Sequence, residues 1–298
     1  MSVYNDFVSR IIELSKSKIK FKESSEELIE YVDKLKRDEF ISIIEQIGTI
    51  PEVIIPSSTA EKCYSKASDI ILARCFRELG LSAKVSEERG DAADIIAKSE
   101  HGYSLVADAK TFRLSRTAKN QKDFKISTLS KWRGMENDYA VLVAPYFQYP
   151  SKQSQIYSSS LDTKVCLLSW EHILFLLNNN IEENINLSLE QIWNAPERIV
   201  RDSRIAYADR KNNLFPYINK MVCERASLSI DDFEAQLQIC KSNIKKRSIT
   251  EIKEIENEIH KTEILSREEA IQELIKSKKL YEKLNAIKSY MRSLNGVI

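Results

Sequence analysis

Residues 103–125 read Tyr-Ser-Leu-Val-Ala-Asp-Ala-Lys-Thr-Phe-Arg-Leu-Ser-Arg-Thr-Ala-Lys-Asn-Gln-Lys-Asp-Phe-Lys, an apolar run that ends in Asp108-Ala109-Lys110 and passes directly into a cationic stretch. Alternation along an extended chain sends Asp108 and Lys110 out of one face, about 7 Å apart along the strand, and Leu105, Ala107 and Ala109 out of the other. A carboxylate and an ammonium then share one site. An earlier acid, Asp94, opens the apolar run Asp94-Ile95-Ile96-Ala97, and pairing of the two segments would bring both carboxylates together. Two carboxylates side by side can hold magnesium against a phosphate. The plainer alternative for the triplet is an exposed strand-end salt bridge between Asp108 and Lys110, which contributes at most about 1 kcal/mol. The apolar strand, the second acid and the cationic sequel weigh toward the metal site and toward cleavage of DNA.

Around this stretch the composition is that of a soluble globule: 298 residues, 43% hydrophobic and 30% charged. The formal net charge is +1, so the basic character is local. Arg113, Arg116, Lys119, Lys122, Lys125, Lys131 and Arg133 are opposed in their stretch only by Asp123. Five cysteines, odd in number and without a Cys-x-x-Cys pair, exclude a disulfide framework and a zinc site and predict a reducing cytoplasm. Charge breaks the first ten residues, and no run approaches the roughly 18 apolar residues that a membrane span needs, so a soluble protein without membrane attachment is expected.

Proline and glycine divide the chain. Before the Pro51–Pro56 connector, stripes such as Ile29, Val32, Leu35 and Phe40, Ile43, Ile44, Ile47 predict two or three short helices with a stop at Gly48. Ser58-Thr59-Ala60-Glu61 has capping-box spacing and opens a helix predicted over 59–79. Strands are predicted over 83–87, 94–98, 103–109, 139–144 and 164–169, with a basic helix over 115–133 between the third and fourth. From about 170 onward helices are expected. The stripes Ile249, Ile252, Ile255, Ile259 and Leu280, Leu284, Ile287, Met291, Leu294 are too short for a coiled coil, and packing on the core is the use predicted for them.

Asp94 and Asp108 are the candidate metal ligands, and Lys110 is placed to orient an attacking water. Glu87 is either a further ligand or part of a solvated Glu-Glu-Arg turn. Glu61 reads as a helix cap. Lys119, Asn120, Lys122 and Lys125 have the chemistry to read base edges, Asn bidentate to adenine and Lys to guanine, with Arg113 and Arg116 left for phosphates; a solvated amphipathic helix is the alternative. Asp123, an acid within this basic segment, can bind metal or accept from a cytosine amino group. His101, His172 and His260 lack the context of a catalytic triad.

Asp94, Asp108-Ala109-Lys110 and the order of one helix, three strands and a second helix resemble the PD-(D/E)xK nuclease superfamily. Several segments are similar to HindIII-type type II restriction endonucleases: Pro56 to Thr59, Glu61-Lys62, Leu105 to Lys110, Phe112 to Lys125, and Phe147-Gln148-Tyr149-Pro150. The resemblance extends over most of the chain and fades after about residue 200.

It implies an α/β fold: a PD-(D/E)xK core of a mixed five-stranded sheet flanked by helices, with helical additions at both ends. The expected boundaries are an N-terminal helical region over 1–58, the core over 59–175 and a C-terminal helical region over 176–298. It implies a homodimer that uses Mg2+ to cut double-stranded DNA at the palindrome AAGCTT after the first A, paired functionally with a DNA methyltransferase in a restriction-modification system. Asp94, Asp108, Lys110, Glu87 and Asp123 become the expected active-site residues. The chain departs from the pattern in having Ala93 where proline often precedes the first acid, and Glu88 where the HindIII type is expected to carry glutamine. Another nuclease on the same fold, for repair or junction resolution, and a DNA-binding protein that has lost catalysis are the competing readings.

Overall fold

A computed structural model describes residues 2–17, 21–86, 93–116, 121–278 and 280–294. The chain divides into two units, 1–244 and 245–298.

The first unit opens with three helices, α1 (Val3–Lys16), α2 (Phe21–Lys34) and α3 (Arg37–Ile47), as the stripes predict. Each buries one face: Phe7 and Ile11 on α1, Leu28 and Val32 on α2, and Phe40, Ile43, Ile44 and Ile47 on α3. Gly48 ends α3 where a side chain has no room, because a Cβ there would lie 2.9 Å from Trp170 Cδ1. A short strand β1 (Thr49–Ile50) and the proline connector lead to α4 (Thr59–Glu78). Ser58 caps α4 by accepting from Glu61 N at 3.2 Å, and the Glu61 carboxylate accepts from Ser57 N at 2.6 Å, so the capping reading of Glu61 holds.

The sheet follows: β2 (Ser82–Val85), β3 (Ile95–Lys98), β4 (Ser104–Ala109), then a two-residue strand β5 (Phe112–Arg113), α5 (Ile126–Arg133), β6 (Tyr139–Ala144), α6 (Gln155–Thr163), β7 (Val165–Ser169) and α7 (Trp170–Asn178). Five strands join in the order β2-β3-β4-β6-β7, antiparallel from β2 to β4 and parallel from β4 to β7. This is the mixed sheet expected from the sequence. In the parallel half burial does not alternate: Leu105, Val106, Ala107 and Asp108 are all buried, as are Ala140 through Ala144. Crossover connections cover both faces of parallel strands, which makes them apolar throughout rather than on alternate residues. Helix α4 packs on β2, β3 and β4, and α5 on β4 and β6.

Of the basic helix predicted over 115–133, only the second half forms among the described residues, as α5. Phe112 and Arg113 form β5, paired in parallel with β1, and Phe112 N donates to Gly48 O at 3.0 Å. Glu52 then accepts from the backbone N and the hydroxyl of Ser115, both at 3.0 Å, which holds the next turn away from a helix. Residues 121–124 form a single 3-10 turn, and Lys125 adopts a left-handed conformation (φ 47°) before α5 starts.

Beyond α7 the first unit is helical: α8 (Glu190–Trp193), α9 (Ala195–Arg201), α10 (Tyr207–Ala226) and the first half of α11 (Ile230–Glu263), which buries Phe233 and Leu237. The second unit contains the rest of α11, α12 (Arg267–Ser277) and α13 (Leu280–Leu294). Its apolar stripes do not pack on a core, contrary to the sequence expectation. Ile249, Ile252, Ile255 and Ile259 are 55, 53, 43 and 53% exposed, and Leu280, Leu284 and Ile287 are exposed as well. Between these residues the sequence is almost wholly charged or polar, so α11 has a stripe but no second apolar face to build a core around.

Candidate active site

The site forms where β3, β4 and α4 meet. Antiparallel register places Ile95 opposite Ala107, and one step further along the same register Asp94 comes opposite Asp108. The third member is Asp69, on the face of α4 that covers these strands. Ligand oxygens of Asp69, Asp94 and Asp108 all lie within 4.8 Å of one another, the one such trio among the described residues. Asp69 and Asp108 are buried and Asp94 is half-buried.

Three carboxylates this close resist ionising together. Burial first, then the neighbouring charges of Asp94 and Asp108, raise the Asp69 carboxyl well above the ordinary carboxylate range, while Lys66 and Lys110 oppose the shift. Burial also raises Asp108; the Lys110 charge pulls it back, and Asp94 adds to the rise. Lys110 Nζ stands 2.5 Å from Asp108 Oδ2. The same Oδ2 is buried and accepts no well-aligned hydrogen bond among the described residues. Hard oxygen donors from three acids, two of them buried and one with an unsatisfied oxygen, fit a divalent cation of the magnesium type.

The Asp108–Lys110 pair is not the exposed strand-end salt bridge of the plainer reading: its side chains are only 4 and 16% exposed. Lys110 sits just past β4, its backbone N donating to Val143 O at 2.7 Å.

Other residues singled out in the sequence have partners of their own or fall outside the described residues. Asp123 is not a member of the acidic trio and pairs with Arg116 at 2.6 Å, whose guanidinium stacks 3.8 Å over the Phe112 ring. Arg113 is engaged by Glu61 at 2.8 Å and Glu52 at 3.7 Å, so it fastens β5 to the start of α4. Lys122 and Lys125 are exposed, and the Lys125 charge reaches Asp108. Glu87, Lys119 and Asn120 lie outside the described residues.

Sequence reasoning missed Asp69. The signal was present: Asp69 falls three residues before Leu72 and seven before Phe76, at the head of an apolar stripe that continues to the end of the helix. An acid at such a position is costly unless a cation or a partner meets it.

Comparison with known proteins gives one answer. The description "HindIII restriction endonuclease" matches residues 5–291. The Type II restriction enzyme HindIII of Haemophilus influenzae is 44% identical over 277 residues, covering 93% of this chain and 91% of that protein. With the five-stranded mixed sheet and the acidic trio in place, the match over nearly the whole length establishes that the chain belongs to the HindIII restriction endonuclease family.

Proposed function

We propose that the chain is a magnesium-dependent endonuclease that cuts both strands of DNA at AAGCTT after the first A, leaving four-base 5′ overhangs. It works as a homodimer, one active centre per strand, because a palindrome presents two equivalent scissile bonds related by a two-fold axis. The single observation that carries this reading is the convergence of Asp69, Asp94 and Asp108 with Lys110 at the end of β4.

Magnesium held by Asp69, Asp94 and Asp108 would neutralise charge on the scissile phosphate and lower the pKa of a bound water. Lys110 orients that water by hydrogen bonding and stabilises negative charge as it grows on oxygen. Asp108 serves both partners, as a ligand and as the carboxylate that fixes the Lys110 ammonium. Glu87 is a further acid for the same site. Lys119, Asn120, Lys122 and Lys125 supply contacts to bases and backbone. Arg116, held by Asp123, and Arg113, held by Glu61, turn toward phosphate only if DNA displaces those carboxylates. A cell carrying this activity must protect its own AAGCTT sites, which makes a DNA methyltransferase the functional companion and the cytoplasm the place of action.

Among the described residues no helix is long and apolar enough to cross a membrane. The test is incubation of purified protein with a plasmid carrying one AAGCTT, with and without magnesium, followed by sequencing of the ends. Linear product with 5′-AGCT overhangs, formed only with magnesium, is expected. Cutting elsewhere would discard the specificity, and sequence-specific binding without cutting would point to a DNA-binding regulator.

A further inference from the structure

Among its described residues the second unit exposes eleven large apolar side chains, each between 43 and 71% accessible, four of them the isoleucines of α11. The four on α11 stand at helical spacing along one stripe of a single helix, the kind of exposed apolar surface that marks an interface. The charge along α11 is also ordered. Lys245, Lys246 and Arg247 precede the stripe, whereas Glu254, Glu256, Glu258 and Glu263 follow Ile252 against only Lys253 and Lys261. A helix that is cationic at one end of its apolar stripe and acidic at the other is complementary to itself, run in the opposite direction.

We propose that the isoleucine stripe of α11 is the seat of a second copy of this chain, the two helices lying antiparallel across a two-fold axis at Ile252. That axis sets Ile252 against its own copy and Ile249 against Ile255 of the other helix. The Ile252 contact lies on the axis and occurs once, and the Ile249–Ile255 contact appears twice, as a closed isologous pair requires. The assignment deepens the dimeric reading of the nuclease and rests on it for the expectation of two-fold symmetry; the isoleucine spacing and charge order supply the register independently.

The experiment uses the full chain without DNA, so its outcome is separate from whether the protein cuts AAGCTT. Sedimentation of the parent at about ten micromolar should give a dimer, and Ile252→Glu, which sets two carboxylates on the axis, should weaken association at least about 100-fold. Ile252 is half-exposed, so this change leaves the core of the first unit intact. In parallel, Ile252→Cys should form an oxidative cross-link between copies, whereas Ile249→Cys, which faces position 255 of its partner, should cross-link far less. A monomeric parent, a dimer unaffected by Ile252→Glu, or cross-linking that does not prefer position 252 would each overturn the proposal.

Discussion

The indole Nε1 of Trp170 donates a 3.1 Å hydrogen bond to the backbone carbonyl of Lys110, tying the first residue of α7 to the lysine that faces Asp108. Val143 O accepts from the backbone N of the same lysine. Lys110 is therefore held on both sides by neighbours from the parallel half of the sheet, although it lies beyond the end of β4.

Trp170→Phe keeps an aromatic ring in the pocket and removes the donor. A lost hydrogen bond costs about 1 kcal/mol, and a carbonyl left unsatisfied somewhat more. Small displacements of a reacting group lower rate more than binding. Single-turnover cleavage should slow about tenfold with KM unchanged, while Lys110→Ala and Asp108→Ala abolish cutting. A Trp170→Phe protein that cuts at the parent rate would remove the indole from any positioning role.

Gly48→Ala approaches the same indole from the other side. The added Cβ would lie 2.9 Å from Trp170 Cδ1 and 3.1 Å from Pro145 Cγ, neither at the end of a flexible chain. Overpacking of this kind costs about 1–3 kcal/mol. Gly48→Ala should lower the melting temperature and slow cleavage, and combined with Trp170→Phe its effect on rate should be less than additive because both act through one contact. Strict additivity of the two rate effects would show that they act separately.

Asp69→Asn separates repulsion from metal binding. Without metal the buried amide relieves the crowding that raises Asp69 and Asp108, so the apo protein should melt higher than the parent. With magnesium the order should reverse, because a ligand at 100 times its dissociation constant stabilises by about 2.7 kcal/mol only where it can bind. Cleavage should fall at least about 100-fold. If magnesium raises the melting temperature of Asp69→Asn as much as that of the parent, Asp69 is not a ligand.

The core was legible because its signals were local. Apolar runs ending in Asp108 or opening at Asp94 revealed the strands, and Ser58 and Gly48 marked helix ends. Asp69 was harder, since only the packing of α4 on β3 and β4 turns an acid on a helical stripe into a member of the trio. The stretch ahead of α5 departs from the predicted helix for a related reason. Helical composition there loses to long-range contacts, from Gly48 to Phe112 and from Glu52 to Ser115, that sequence spacing does not encode. The exposed isoleucines of α11 were read as core because a stripe records that a face is to be covered, and not by what.

Glu171 and His172, adjacent in the first turn of α7, titrate in opposite senses. The Glu171 carboxylate accepts from Tyr146 N at 2.9 Å, and its burial pushes the pKa up from 4.5 to about 7. His172 is buried against the Phe233 ring, with Nδ1 accepting from Ser169 N at 3.0 Å and Nε2 donating to Asn219 Oδ1 at 2.8 Å, and burial pushes its pKa down from 6.5 to about 4. For Glu171 the folded state binds the proton more tightly, so the stability it contributes is complete below pH 4.5 and is lost as pH rises through about 7. For His172 the unfolded state binds the proton more tightly, so its contribution is present above pH 6.5 and is lost as pH falls through about 4. The two slopes oppose each other between these limits and flatten the parent's profile. Glu171→Gln keeps an oxygen for Tyr146 N and deletes one slope. Denaturant melts from about pH 4 to about pH 8 should therefore show the variant gaining on the parent by up to about 3 kcal/mol as pH rises, with its own stability falling only on the acid side. Parallel profiles for the two proteins would mean that Glu171 does not titrate across this range in the folded state.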